Sequence, residues 1–410
     1  MLPRQKIAPE GHWRLGFQVN NSQGVRCGPF LFVSGQVDLD PDGRMVHPGD
    51  LAAQAASVIG HVKTVLAAGG GDADDLVKLS VFYVNDGGVD EAGLLGQLAE
   101  ALGPTSGPGP AITLVPLEGL AYPGMEIEIE AIAMRDLNGP RLPRAAAWDP
   151  DGPRLPPPFS QALRCGEMIF SSGVTAVDGA DRLAAPGDLL AQSRLVLPKI
   201  DGLFRQLGAD LWDAVKTNVF NVEPGTQEDW AAPALVRAAH FREPGPAATG
   251  ISLPRLWPEG AMVLNDVIAM RGLDSARLPR RAVWPSGHWD WPVHLPYRHG
   301  LLCGDLAFLG GQVSLTPEAA VIAPGDMAAQ TGQAMTYIGR VLAELGLGFE
   351  NVVKINAFYA GDVGEEVLRR NAEVRFSYFT EEPGPASTGV PVPYLAYRDM
   401  LIEIDLIAMV

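Results

Sequence analysis

Three carboxylates on alternating positions are the first residues here whose type and spacing suit chemistry. Glu126, Glu128 and Glu130 alternate with Ile127 and Ile129, so in an extended segment they share one face. A carboxylate held there can take a proton from a reacting group within hydrogen-bond reach. A solvated strand face has the same pattern, and spacing leaves both readings open. Other reactive types lead elsewhere. His288, His294 and His299 are close together, yet no Cys or carboxylate completes a set at metal-ligand offsets, so no metal is expected. His12-Trp13 and His288-Trp289 lie 276 residues apart and read as equivalent structural elements. Cys27, Cys165 and Cys303 each precede a glycine. A nucleophilic thiol needs a base or a positive site to lower its pKa, and the repeated place beside a turn reads as a small buried side chain. Gly69-Gly70-Gly71 reads as a helix stop, because no Lys-Ser/Thr follows it as a phosphate loop requires.

The elements that position these residues recur. Pro48-Gly49-Asp50 returns as Pro186-Gly187-Asp188 and Pro324-Gly325-Asp326, an interval of 138 residues. Gln54, Gln192 and Gln330 keep that interval, as do Lys78, Lys216 and Lys354, and the three cysteines. Gly109-Pro110-Ala111, Gly245-Pro246-Ala247 and Gly384-Pro385-Ala386 are 136 and 139 apart, so short insertions fall in a loop before them. The chain is one module built three times, with expected bounds 1–140, 141–277 and 278–410. In the third copy the pattern predicts a strand over 306–313, a helix capped by Asp326 and stopped near Gly346, and a strand over 352–359. A helix over 365–378 and strands around 389–392 and 400–409 follow. The order ββαβαββ is an α+β layer with helices on one face of a mixed sheet. Two helices leave the other sheet face bare, and three copies can cover those faces against each other as an intramolecular pseudo-trimer. Arg141-Leu142-Pro143-Arg144 and Arg277-Leu278-Pro279-Arg280 open Pro/Trp-rich connectors ending near Trp148 and Trp284, which read as extended structural straps.

Composition bounds the partners. The chain has 410 residues, 47% of them hydrophobic, and a formal net charge of −17. No Lys/Arg cluster offers the basic face that phosphates need, so nucleic acid is not expected. No apolar run reads as long enough for a bilayer, and the N-terminal residues lack the apolar stretch of a signal peptide. The expectation is a cytoplasmic protein with reduced thiols, working as a monomeric pseudo-trimer on a small molecule.

Met168-Ile169-Phe170-Ser171-Ser172-Gly173, the Pro-Gly-Asp helix with its Gln, the Val77-Lys78 strand, the Gly-Pro-Ala turn and Ile127 to Ala133 together resemble the RidA/YjgF family, also called endoribonuclease L-PSP. The likeness covers nearly the whole chain, three times. It implies the chorismate-mutase-like fold with central sheets, outer helices and three ligand clefts between copies. It also implies hydrolysis of reactive imines or enamines with release of ammonia, and no metal or organic cofactor.

Carried across by position, the family's carboxylate-binding arginine after Pro-Ala falls on Ile112, Ala248 and Ser387. None offers the bidentate fork of a guanidinium, so standard 2-imino acids are not the expected substrates; Arg255 and Arg398, in following loops, are the alternative sources. The family's acidic residue, which positions or activates water, maps to Glu128 and Glu403, with Leu264 in the second copy. Its serine maps to Ser34 and Ser172, with Gly310 in the third copy, and its first-strand aromatic to Asn21, Phe159 and Tyr297. His299 occupies the place of Gln23 and Gln161 and is also placed to enter a cleft. The leading expectation is a Rid-like hydrolase or deaminase acting on an imine, enamine or related carbonyl compound. The alternative is a non-catalytic metabolite-binding or protective protein. Ribonuclease activity, suggested only by the older family label, conflicts with the acidic charge.

Overall fold

Each copy folds into one six-stranded sheet carrying two helices. The computed structural model describes all residues except 1, 15, 137–138, 181, 224–226 and 362–363, and the side chains of 227–229. Copy 1 runs β1 (Arg4–Ile7), β2 (Gly24–Cys27), β3 (Phe30–Gln36), α1 (Leu51–Ala68), β4 (Leu76–Val84), α2 (Glu91–Leu102), β5 (Ala111–Leu117) and β6 (Ile127–Met134). Copy 2 repeats this as β7 (Arg144–Ala147), β8 (Ala162–Cys165), β9 (Met168–Ser171), α3 (Leu189–Gln206), β10 (Ala214–Val222), α4 (Gln227–Ala238), β11 (Ala247–Leu253) and β12 (Val263–Met270). Copy 3 is β13 (Arg280–Val283), β14 (Gly300–Cys303), β15 (Leu306–Val313), α5 (Met327–Glu344), β16 (Val352–Ala360), α6 (Glu365–Phe376), β17 (Ala386–Val392) and β18 (Ile402–Met409). The strand order in copy 1 is β1-β2-β3-β6-β4-β5. Only β4 and β5, and their counterparts, pair in parallel.

This corrects the expected ββαβαββ by one strand per copy. The straps enter the sheet: Arg144 to Ala147 pairs antiparallel with Cys165 to Ala162, and Arg280 to Val283 with Cys303 to Gly300. Four residues flanked by prolines make a poor strand signal, and such a segment is tolerated because it lies at a sheet edge. The leading arginines reach into the neighbouring copy. Arg4 Nη1 donates to the carbonyls of Val352 (3.1 Å) and Pro383 (2.9 Å), and Arg144 donates to those of Asp74 and Leu76.

The Pro-Gly-Asp…Gln motif has a mechanical reason. Gly49, Gly187 and Gly325 sit at φ of +77°, +77° and +80°, where a β-carbon is strained. The next residue caps the helix: the carboxylates of Asp50, Asp188 and Asp326 accept from the amides of Ala53, Ala191 and Ala329 at 2.9–3.0 Å. Gln54 then donates to the carbonyls of His47 and Gly124 and accepts from the amide of Glu126. Its buried amide thus fixes the helix start against the strand that carries the carboxylates.

The bare sheet faces meet around a common axis. One apolar cluster joins Cys27, Phe32, Cys165, Phe170, Cys303 and Phe308, and another joins Phe82, Phe220 and Phe358. The thiols are free and buried, and burial raises their pKa. Between these clusters lies a ring of buried ion pairs. Lys78 of copy 1 meets Asp266 of copy 2 (2.9 Å), Lys216 of copy 2 meets Asp405 of copy 3 (2.9 Å), and Lys354 of copy 3 meets Glu130 of copy 1 (2.7 Å). Each ammonium also donates to a threonine of its own copy, Thr113, Thr249 or Thr388. Three head-to-tail contacts of one kind close a ring, which explains why the three lysines keep their interval.

One further expectation is overturned. Helix α1 is long and apolar enough by length and composition to cross a membrane. Its Ala55, Val58, Ile59, Val62, Val65 and Leu66 are fully buried against the first sheet, as a core helix requires.

Candidate functional site

The strand that follows the late turn carries the acid. In β6 the three glutamates share a face, and that face turns toward the next copy rather than toward solvent. Glu130 is taken by Lys354, and Glu128 is 6% exposed. Glu128 lies in a cavity between copies 1 and 3, with Trp13, Asn21, Ser34 and Tyr122 on one wall and Tyr359, Arg375, Ser387 and Gly389 on the other. Glu403, on β18, lies in the matching cavity between copies 2 and 3. There it faces Ala248, Gly250, Trp230 and Arg237 of copy 2 across from Trp289, Tyr297 and His299 of its own copy.

The two acids have the same surroundings. Each accepts a backbone N–H from the neighbouring copy, Gly389 for Glu128 and Gly250 for Glu403. Each carboxylate lies over a glycine, Gly35 or Gly311, whose missing β-carbon would overlap its Oε1; that space is why glycine stands at these positions. Burial pushes both carboxyls up to about 8. For Glu128, Lys354 pulls the other way and Glu130 adds to the rise. For Glu403, Asp405 adds to the rise and Lys216 opposes it. Such a group exchanges a proton near neutral pH, which suits it to general acid–base work.

A guanidinium enters each of these cavities from an unexpected place. Arg375 of α6 and Arg237 of α4 are 6% and 4% exposed. Burial lowers both pKa values, that of Arg375 to about 10. Nε and Nη1 of Arg375 are buried without a hydrogen-bond partner, and Arg237 Nη1 donates to Ser193 Oγ (3.1 Å). Buried arginine donors in a cavity with an acid are the arrangement that holds an anionic group. The two arginines are 138 residues apart, and the corresponding residue of copy 1 is Ala99. That repeat interval was the available signal. The loop candidates Arg255 and Arg398 are exposed and do not line either cavity.

The third interface, between copies 1 and 2, is filled. Leu264 replaces the acid, and its Cδ1 lies where a β-carbon of Gly173 would come within 2.8 Å. Phe159 is fully buried within the core of copy 1 beside Ile112. Phe159 and Ile112 are therefore packing residues, not ligand contacts. Ser172 belongs to the same closed interface: its Oγ donates to the carbonyl of Ser160 (2.7 Å) and accepts from the amide of Ile112 (2.9 Å). Ser34 makes the equivalent staple, to Ser22 and Ser387, at the wall of the Glu128 cavity. Its hydroxyl is occupied by backbone, so it positions the cleft. Tyr297 and Ala248 line the Glu403 cavity, and Ser387 lines that of Glu128. His299 also reaches the Glu403 cavity, with burial pushing its pKa down to about 3, so it is neutral. Among the described residues no His, Cys, Asp and Glu side chains converge as a metal-ligating group.

Comparison with known proteins matches this arrangement. The model of the endoribonuclease L-PSP family matches three stretches, residues 14–135, 153–270 and 292–410. A RutC family protein of Synechocystis is 35% identical over 115 residues, covering 28% of this chain and 85% of that protein. Protein DfrA of Myxococcus xanthus is 39% identical over 106 residues, covering 26% and 77%. A chorismatase crystal structure superposes with a TM-score of 0.56 at 13% identity, covering 82% of this chain and 93% of that one, a likeness of fold.

Proposed function

The chain belongs to the endoribonuclease L-PSP (RidA/YjgF) family, three members in tandem, and from that premise we propose that it hydrolyses an imine, an enamine or a related carbonyl compound in two of its three interdomain clefts. One observation carries the reading. Glu128 and Arg375 face one cavity, Glu403 and Arg237 face the other, and the third interface has lost both as Leu264 and Ala99. Loss of both partners together is expected if they act together.

In this reading the ionised Glu takes a proton from water as the water oxygen adds to the C=N carbon. The imine nitrogen is protonated, the tetrahedral adduct collapses to a carbonyl, and ammonia leaves while the Glu proton is returned. A pKa near 8 suits both halves of that exchange. The arginine holds an anionic group from the helix side of the cleft. Carboxylate-bearing imines, discounted on the turn residues Ile112, Ala248 and Ser387 alone, therefore re-enter as substrates with a different placement. RNA remains a poor fit for a chain of net charge −17.

The test is ammonia release from 2-iminopropionate and 2-iminobutyrate. Wild type is expected to accelerate it, and the pair Glu128→Gln/Glu403→Gln to abolish the acceleration; acceleration that survives in that pair defeats the reading. The sealed copy 1–copy 2 interface favours a second reading, a ligand-binding protein that is shedding catalytic parts. It predicts saturable binding of the keto analogues with no turnover by wild type.

A further inference from the structure

The two open clefts share an acid and an arginine but differ in what surrounds them. Their volumes are close, about 100 Å³ between copies 2 and 3 and about 120 Å³ between copies 1 and 3. Composition, not size, separates them. Trp230 of α4 stands where α6 has Leu368, and Tyr297 stands where copy 1 has Asn21. In the copy 2–copy 3 cleft, Trp230 and Trp291 lie 4.7 Å apart by ring centroids, and Trp291 and Trp289 are also 4.7 Å apart. His299 continues the wall at 4.5 Å from Trp289 and 4.2 Å from Trp284. Tilted rings at these spacings present both faces and edges to a flat ligand.

The polar groups also differ. In copy 1, the indole Nε1 of Trp13 donates to Gln36 Oε1 at 3.1 Å. Its counterpart Trp289 is 2% exposed, lines the cleft, and has Nε1 without a partner, although Gln312 and His288 repeat the local network. Asn221 Oδ1, at the position held by Tyr359 in the other cleft, is buried and likewise unpartnered. A donor and an acceptor left open beside Arg237 and a wall of indoles describe a binding site for a conjugated, polar-substituted ring.

We propose that the cleft between copies 2 and 3 takes a ligand in which a planar aromatic ring carries an anionic group, while the cleft between copies 1 and 3 takes a smaller aliphatic one. The ring lies against Trp230 and Trp291, the anion meets Arg237, and Trp289 Nε1 and Asn221 Oδ1 address substituents. The proposal names the ligand classes of the sites proposed above and rests on that reading for the chemistry, but its test reads binding alone.

Phenylpyruvate and 2-oxobutyrate, which carry a ketone where an imine substrate carries its C=N, are titrated into the full chain by calorimetry and indole fluorescence. Phenylpyruvate is expected to bind one per chain. Trp230→Leu should weaken it about tenfold, the worth of one good aromatic contact, and leave 2-oxobutyrate unchanged. Leu368→Trp should add a second phenylpyruvate site. Two equivalent phenylpyruvate sites in wild type, or affinity unmoved by Trp230→Leu in a folded variant, overturns the proposal. Aromatic binding without ammonia release from any imine upholds the ligand class and defeats only the hydrolase reading. Ammonia release without any aromatic preference does the reverse.

Discussion

Replacing Glu128 and Glu403 together by Gln should abolish turnover and, above pH 8, make the protein more stable. Both carboxyls are buried, and burial lifts them from 4.5 to about 8. A carboxyl whose folded pKa is raised favours the fold while protonated. That contribution is complete below the unfolded value near 4.5 and is lost as pH rises through about 8. At about 1.4 kcal/mol per pH unit, each site loses on the order of 5 kcal/mol of stability by pH 9. Glutamine keeps the shape and the acceptor for the Gly389 or Gly250 amide, and it never ionises. Urea unfolding of wild type and the double variant at pH 5, 7 and 9 reads the difference. The two should be close at pH 5, with the variant clearly ahead at pH 9. The wild-type rate should rise toward pH 8 as the carboxylates form. A wild-type stability that keeps constant distance from the variant between pH 5 and 9 refutes the assignment of buried, protonated acids.

Arg375→Met, which removes a buried guanidinium lacking partners for Nε and Nη1, should leave the melting temperature unchanged or raised, while KM for a carboxylate-bearing imine in that cleft rises sharply. Lys216→Met leaves Asp405 buried without its ion-pair partner and should cost about 3–5 kcal/mol in chemical denaturation, with Lys216→Met/Asp405→Leu recovering most of it. Gly35→Ala puts a methyl where Glu128 Oε1 lies; it should silence the copy 1–copy 3 cleft in ammonia assays and leave turnover at Glu403 intact. Phe159→Ala should destabilise the fold by about 3–5 kcal/mol without lowering turnover, because Phe159 fills a core and not a cleft.

Much of the scaffold was legible because the same residues recur at one interval. Asp326 as cap, the strand ending at Tyr359 and the pseudo-threefold closure all follow from pattern, and the structure adds only the strap strands, whose four residues between prolines carry no strand period. The site was less legible for physical reasons. Glu128 and Glu130 share a face, and sequence cannot say that a lysine of another copy takes one and leaves the other in a cavity. Arg237 and Arg375 sit near the ends of helices, where an arginine usually completes a solvated face or answers the helix dipole. Their 138-residue interval, with alanine in the copy whose α2 faces the closed interface, was visible in the sequence, but its meaning required knowing which copies adjoin. The filling of the third interface by Phe159 and Leu264 also depends on shape across copies, which local pattern does not encode.

The central claim is that two clefts, each pairing a strand glutamate with a helix arginine from the next copy, do the chemistry and the third does none. Ammonia release by Glu128→Gln, Glu403→Gln and the double variant, across aliphatic and aromatic imines, tests it most directly. Each single variant should lose part of the activity, and the folded double variant should fall to the uncatalysed rate. Turnover remaining in the double variant, or one single variant losing everything on every substrate, would contradict it.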